Sequence, residues 1–509
     1  MNETVSRLPP SLAPLALCER ERLMRYELPE RGAPGHTPFA LLPQSEAEVG
    51  LILRTATAAR LPLVIAAGRT GLVEAQRPEG EAVLSLERLN RALALELADG
   101  RRCELEAGAG AGAVLQWLRE QGSPALSGAR LVVQAGIAID AVNALLEPLG
   151  LCWPMEMGSS SAASAGACVA NASAGANALC YGTAAHLCER AFGFWADGSA
   201  AGPFEGPRWA LPPADRLAID STRVDPQLGL IGSQGLFGVI THLSLRLHPL
   251  PAAREGVLLP VPDMPAAMRL LDAALAEFPG GVEEFEFIGR GALARVCAHL
   301  GGNPLPFDAA RVKPWCVLLQ VKADDAAAGE RLAERLYAFL AAQGIADEDL
   351  GYAPLPRLKR IRHSITEASN ARMRQLGGGR LAFDTAVPRA RFGAYLDRLA
   401  AALARAAPDT ELIAFGHAGV GGAHLHLLGT REQPLEARAE ALIRLVFDVT
   451  ADHGGTFSAE HGVGPKWAAE FRRRADPAQV ARLRAEKRRR DPAGILNPRS
   501  FGLFDDPAV

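Results

Sequence analysis

Five of the eleven histidines fall between positions 417 and 461. In the stretch GHAGVGGAHLH, His417 and His424 flank a turn in which Gly419, Gly421 and Gly422 permit a tight reversal, so both imidazoles can face one point. If 423–428 is a strand, His424 and His426 share a face by its two-residue period. Further on, Ser458-Ala-Glu460-His461-Gly462 adds a carboxylate and another imidazole. Two histidines and a glutamate form a borderline N/O ligand set for a divalent metal with open positions. One such histidine alone reads as a hydrogen-bonded core residue; the set, with its glycines, reads as a site.

Three glycine-rich segments point to a second kind of chemistry. Gly68-Arg69-Thr70-Gly71-Leu72 follows the apolar run LPLVIAA, where glycines let backbone N–H groups approach a pyrophosphate. It is neither a Walker A pattern nor G-x-G-x-x-G, so it does not favour a nicotinamide dinucleotide in a Rossmann site. The small-residue stretch from Gly158 through Gly166, Asn171 and Gly175 to Tyr181-Gly182 leaves backbone open to something flat and polar. Gly232, Gly235 and Gly238 recur at three-residue spacing and run into the apolar segment Val239-Ile240-Thr241.

The elements that must position these residues alternate. FALLPQ reads as a strand and SEAEVGLILRTATAARL as a helix with Ser45 as N-cap. LPLVIAAG and EAVLSLERL follow as strands, a βαβ grammar that predicts a parallel or mixed sheet. Residues 101–128 read as an inserted helix and loop. Residues 130–137 and 138–150 read as the next strand and helix, and GLIGSQGLFGVITHLSLRLHPLP as a closing strand. Pro249, Pro251 and Pro260 mark a boundary. Beyond it, strands and helices alternate to about 430, as in a separate domain with an antiparallel sheet. The basic runs at 472–474 and 487–490 read as solvated helix faces.

Composition narrows the class. The chain has 509 residues, 49% hydrophobic, which suffices for two to four domains with sizeable cores. With 54 Lys+Arg against 57 Asp+Glu, the net charge of −3 argues against a nucleic-acid binder that works through a large basic field. None of the eight cysteines forms a C-x-x-C pair, which argues against an iron–sulfur or zinc-ribbon module and for reduced thiols. No transmembrane segment or cleavable leader is expected, and the expected location is the cytoplasm, with peripheral attachment to the inner face of the membrane as the variant.

Taken in order, GRTGL at 68–72, the stretch ending in Tyr181-Gly182, IGSQGLFGVIT at 231–241, GHAGVGGAHLH at 416–426, SAEHGVGPK at 458–466 and ILNP at 495–498 resemble the FAD-linked 2-hydroxy-acid dehydrogenases of the vanillyl-alcohol-oxidase type. D-Lactate dehydrogenase, D-2-hydroxyglutarate dehydrogenase and the flavin subunit of glycolate oxidase belong to that family. The resemblance implies an α+β fold: a two-part FAD-binding domain plus an α+β cap domain with an antiparallel sheet. The corresponding expectation is an N-terminal surface segment at 1–37, the FAD domain at 38–250, the substrate or cap domain at 251–430, and a C-terminal segment at 431–509 returning to the flavin. It implies oxidation of a D-2-hydroxy acid to the 2-oxo acid, with hydride passing to flavin N5 and metal assistance.

By the same resemblance, Gly68, Arg69, Thr70, Gly71 and Leu72 hold the pyrophosphate of non-covalent FAD. Gly166, Asn171, Gly175, Gly182, Gly235, Gly238, Ile240 and Asn497 lie along the flavin. His417, His424 and Glu460 hold one divalent metal, zinc first and manganese or iron next, and His461 is the catalytic base. Arg362 and Thr366, four apart on a predicted helix face, meet the substrate carboxylate. Arg380 stands near a position where the family often has Lys. His426 would reach a carboxylate if protonated.

This chain departs from the family pattern G-H-x-G-D-G-N-x-H-x-N. Val420 replaces the Asp, Gly422 the first Asn and His426 the last, and Gln234 stands where Glu is common. Losing partners behind metal ligands weakens such sites about 10- to 100-fold. The expected partners are a small 2-hydroxy acid and an electron acceptor (a quinone, a cytochrome or an electron-transfer flavoprotein), without nucleic acid, and with a homodimer as the assembly considered. Two further readings share the scaffold: a non-redox flavin synthase, as in the alkyl-glycerone-phosphate synthases, and a non-catalytic flavin subunit of a larger oxidase. A metal hydrolase without flavin leaves the glycine-rich loops unexplained.

Overall fold

The computed structural model describes residues 8–504. Helix Glu46–Ala59 starts where the sequence places it: Ser45 Oγ accepts the Glu48 N–H at 3.3 Å and the Glu48 carboxylate accepts the Ser45 N–H in return. It packs beside a small four-stranded sheet in the order 16–17, 40–41, 82–85, 63–66. Among the described residues, parallel pairing between strands is confined to this sheet, where Leu63–Ala66 and Ala82–Ser85 run side by side; elsewhere only isolated bridges such as Asp384 with Ser458 are parallel.

Of the expected alternatives, parallel or mixed, the four-stranded sheet is mixed, while the neighbouring six-stranded sheet is neither. Its order is 200–205, 188–195, 238–246, 130–134, 92–96, 102–104, and every pair is antiparallel. At its two ends, 92–96 with 102–104 and 188–195 with 200–205, the short links 97–101 and 196–199 dictate this, because a parallel pair needs a long crossover. Residues 101–128 are accordingly not only helix and loop: Arg102–Glu104 forms the edge strand before helix Ala111–Glu120. The closing strand is shorter than its apolar text, Gly238–Arg246 and His248–Pro249. The preceding 230–237 is a chain of turns with Gly232, Gln234 and Gly235 at positive φ. One core joins both sheets through Leu63, Leu84, Leu131, Val133, Val239 and Leu243.

From Ala253 a seven-stranded, wholly antiparallel sheet begins, ordered 351–352, 253–261, 315–323, 282–289, 411–416, 422–430, 377–386. Helices Met264–Glu277, Leu332–Ala342 and Phe392–Ala406 bury their apolar stripes on it. The molecule is therefore α+β, with mixed and antiparallel sheets in two units. The chain then returns to the first unit: Leu63 N–H donates to Ile495 O and Asn497 N–H to Leu63 O.

Lys487 corrects the reading of 487–490 as a solvated face. It is 3% exposed, and its ammonium donates to Leu236 O, Leu496 O and Asp491 Oδ2 at 2.6–2.7 Å. A lysine can satisfy three acceptors from one point, which ties 231–241 to 495–498. Among the described residues, no helix is long and apolar enough to cross a membrane.

Candidate active site

A cavity of about 800 Å³ lies between the two units and receives most of the residues singled out above. Its wall includes Arg69, Thr70, Gly71, Leu72, Gly166, Asn171, Gly175, Gly235, Gly238, Ile240 and Asn497. The backbone N–H groups of Thr70, Gly71 and Leu72 find no acceptor among the described residues, so they stand as free donors at its edge. The Arg69 guanidinium turns away to Glu87 and the Tyr26 ring.

Gly68 and Gly182 do not line this cavity, contrary to expectation. A Cβ on Gly68 would sit 2.1 Å from Ala162 O, so this glycine serves close packing of the small-residue loop behind the wall. Gly182 (φ +78°) packs against Trp209 and His186. Asn497 accepts the Ile65 N–H at 3.0 Å and donates to Gln234 O at 3.1 Å. Gln234 explains its own identity: its amide oxygen accepts from Val463 N–H at 2.8 Å while its NH₂ donates to Ser221 O at 2.7 Å. A glutamate could not make the second bond.

The imidazole cluster sits where strands Glu411–Gly416 and Gly422–Thr430 are joined by the turn Ala418–Val420, with Gly421 at φ +76°. His417 Nε2 is 3.5 Å from Glu460 Oε1, and His424 Nε2 is 3.9 Å from Glu460 Oε2. These three offer ligand atoms all within 4.8 Å of one another, as do Asp384, His424 and His461. Val420 is buried in the core beside the turn.

Five acidic or basic groups absent from the sequence reading complete the site. Glu286, 1% exposed, binds His417 Nδ1 through one oxygen and accepts Arg362 Nε through the other at 2.5 Å. Asp384 lies opposite His424 across the strand pair. Its Oδ2 accepts the N–H groups of Glu460 and His461, each at 2.9 Å, and stands 3.2 Å from His461 Nδ1. Lys359 reaches Glu156 at 2.6 Å and Glu284 at 3.0 Å, bridging the two units. The signal was present in VEEFEFIG and LAFDTAVP, where carboxylates interrupt otherwise apolar strands.

Electrostatics follow from this burial. Removal from water pushes the Glu460 carboxyl up to about 8. Burial works against a charged His417, but Glu286 and Glu460 outweigh it and carry the imidazole up to about 9. Burial holds His461 below its usual value, Asp384 opposing. Glu460 Oε1 and Asp384 Oδ1 are buried without a hydrogen-bond donor.

Arg362 and Thr366 both line the cavity but do not share one regular helix. Leu355–His363 ends and Ile365–Leu376 begins across Ser364. The Arg362 guanidinium, held over the Phe415 ring at 4.8 Å, commits Nε to Glu286 and keeps its other nitrogens free of protein partners among the described residues. Arg380 is not in the wall; it donates to Asn370, which is. His426 lines the cavity with Nδ1 2.8 Å from Ser369 Oγ. Burial and then the neighbouring arginines push it well below its usual range, so it is a neutral partner rather than the cation that the sequence reading required.

Residues 38–125 match the family described as "FAD binding domain", and 250–501 match "FAD linked oxidases, C-terminal domain". The chain is 29% identical over 479 residues to a D-2-hydroxyglutarate dehydrogenase of Xanthomonas citri pv. viticola, covering 92% of this chain and 90% of that one. It is 25% identical to the mitochondrial D-2-hydroxyglutarate dehydrogenase of Arabidopsis thaliana, covering 91% and 75%. Among solved structures, p-cresol methylhydroxylase with substrate bound superposes with a TM-score of 0.66 at 13% identity, covering 98% of this chain and 95% of that one. An alkyldihydroxyacetonephosphate synthase superposes with a TM-score of 0.64 at 14% identity, covering 96% and 83%. At these identities the structural likeness establishes the vanillyl-alcohol-oxidase-type fold.

Proposed function

From the premise that the chain belongs to the FAD-linked oxidase family, as an FAD-linked D-2-hydroxy-acid dehydrogenase, we propose that it converts a D-2-hydroxy acid of the lactate, 2-hydroxyglutarate or glycolate class to the 2-oxo acid. The observation that carries this is convergence: His417, His424, Glu460, His461 and Arg362 meet on the same cavity as the glycine-rich loops.

The residues fit both groups that such chemistry needs. Free amide donors at 70–72 and a cavity within the usual range of about 300–1,000 Å³ suit a phosphate-bearing cofactor. FAD, when bound along 69–72, 166–175, 235–240 and Asn497, supplies the two-electron acceptor. Buried carboxylate oxygens without donors suit a cation. A divalent metal on His417, His424 and Glu460, with zinc the first choice, polarises the substrate hydroxyl when bound.

The protein's own groups then do the positioning. Arg362 presents its free nitrogens to the substrate carboxylate, anchored by Glu286 so that the fork cannot swing. Thr366, beyond the break at Ser364, lines the same wall. Asp384 accepts the His461 backbone N–H and stands 3.2 Å from its Nδ1, which leaves Nε2 as the atom to take the hydroxyl proton. Glu286 in the same way fixes His417.

The test is anaerobic mixing of the purified, flavin-loaded protein with D- and L-2-hydroxy acids. Bleaching of the flavin band by D-acids supports the proposal. A flavin that no D-2-hydroxy acid bleaches overturns it.

A further inference from the structure

The turn that carries Glu460 and His461 is held from both units. On the side of the second unit, strand Gly377–Ala386 grips it. Thr456 N–H donates to Ala386 O at 2.8 Å and Ala386 N–H to Thr456 O at 3.1 Å, Ala459 N–H reaches Asp384 O at 3.1 Å, and Asp384 Oδ2 takes the amides of Glu460 and His461. On the other side lies the connection 206–237 of the first unit. Ser221 N–H donates to Ser458 O at 3.1 Å and Ser221 Oγ to Ala459 O at 2.9 Å. Asp220 Oδ1 accepts the Thr456 hydroxyl at 2.8 Å, and Ser458 Oγ closes the turn on Gly462 O at 2.6 Å.

Gln234 joins this turn to the wall of the cavity. Its main chain belongs to the wall: its N–H donates to Ala170 O at 2.8 Å, its carbonyl accepts from Asn497 Nδ2 at 3.1 Å, and both partners line the cavity. Its side chain belongs to the turn. Oε1 takes the Val463 N–H at the end of the turn, and Nε2 takes Ser221 O, the residue that holds the beginning. Gln234, Ser221 and Ser458 are all buried, so a donor or acceptor left open here has no water to turn to. The backbone at Gln234 is left-handed (φ +53°), which a residue other than glycine keeps only where its surroundings fix it. Gly462 closes against the same amide, where a Cβ would sit 2.6 Å from Gln234 Oε1.

The path from the wall along which the flavin would lie to the backbone that presents Glu460 and His461 thus runs through short, buried hydrogen bonds, with one side-chain amide at its centre. Whatever orders the wall also orders the turn, and a cation on Glu460 orders the wall in return, because coupling between two sites is reciprocal. Resting on the function proposed above, we propose that Gln234 and Ser221 are positioning residues that couple the two groups: a divalent metal on His417, His424 and Glu460 tightens the hold on flavin, and flavin tightens the hold on the metal.

The test reads flavin release and not turnover. Flavin-loaded protein is diluted into buffer containing either zinc or EDTA, and the fluorescence of the released flavin gives the dissociation constant in each. The wild type is expected to hold flavin about 5- to 150-fold more tightly with zinc. Gln234→Met, similar in shape and unable to make either side-chain bond, should bring the two constants together. Gln234→Glu, which keeps an acceptor for the Val463 N–H and loses the donor to Ser221 O, should retain part of the difference. A wild type indifferent to zinc overturns the coupling. So does a Gln234→Met that loses flavin affinity equally with and without zinc, because a merely structural residue behaves in that way. If Gln234→Met does not load flavin, Ser221→Ala, outside the cavity wall, decides: a smaller zinc effect supports the proposal and an undiminished one overturns it. A zinc effect that depends on Gln234, in a protein whose flavin no D-2-hydroxy acid bleaches, would overturn the reaction and retain the coupling. Bleaching without any zinc effect would do the reverse.

Discussion

Replacing Asp384 by Asn removes one negative charge from the centre of the site and almost no volume. The Asn carbonyl oxygen can keep the acceptor position for the Glu460 and His461 amides, both at 2.9 Å, so the 458–462 loop should hold its course. What is lost is the charged partner 3.2 Å from His461 Nδ1. A hydrogen bond to a charged group contributes about 1.5–3 kcal/mol, which corresponds to about a 10- to 150-fold slower proton transfer if it is made as His461 takes up charge. The assay is rapid mixing of the oxidised variant with saturating D-2-hydroxy acid, following the flavin band, with elemental analysis beside it. Slow reduction with flavin and metal retained is expected. A rate within about threefold of wild type refutes the orienting role. Loss of metal refutes it differently, by making Asp384, His424 and His461 the ligand set, the other group of three that the geometry allows.

His417→Ala and Glu460→Gln should each lose the bound divalent metal while retaining flavin, checked by elemental analysis and the visible spectrum; metal retained in both overturns the ligand assignment. Arg362→Ala should raise KM for the acid substrate by about 10- to 150-fold, from the loss of one charge-assisted partner, and leave Glu286 Oε2 without its donor while His417 keeps Oε1. Steady-state kinetics on the flavin-loaded variant measures this, and an unchanged KM refutes it. Lys487→Met should cost about 3–5 kcal/mol of stability, because Asp491 and two carbonyls lose their common donor, and the urea midpoint of unfolding reports it. Burial pushes His186 and His248 down to about 4, and His186 Nδ1 accepts the Thr183 N–H, which requires the neutral ring. The unfolded chain then binds more protons, so stability should be full above about 6.5 and fall as the pH drops towards 4. The urea midpoint against pH tests this, and His186→Gln/His248→Gln should flatten the decline.

The glycine-rich loops and the histidine set were legible in the chain because their chemistry is local. Glycines at fixed spacing mark exposed or tightly turned backbone, and three imidazoles around a turn mark convergence, whatever packs beyond them. The N-cap at Ser45 and the apolar strands were local in the same sense. Tertiary structure alone decided the partners that come from afar. Glu286 lies 131 residues from His417, and Asp384 lies 77 from His461. No periodicity links such pairs: strand order in the seven-stranded sheet sets Glu286 near His417, and bridges from Asp384 to Ser458 and Ala386 to Thr456 bring the 458–462 loop to Asp384. The fold likewise reversed readings that rested on composition. Lys487 sits in a basic run but is buried, and His426 is neutral because neighbouring arginines and the lack of water, neither visible along the chain, set its charge. Arg31 belongs with these: a Pro- and Arg-rich N-terminal stretch reads as surface, and only the tertiary fold, with His36 N–H donating to Pro78 O, turns one of its arginines into the wall of the cavity.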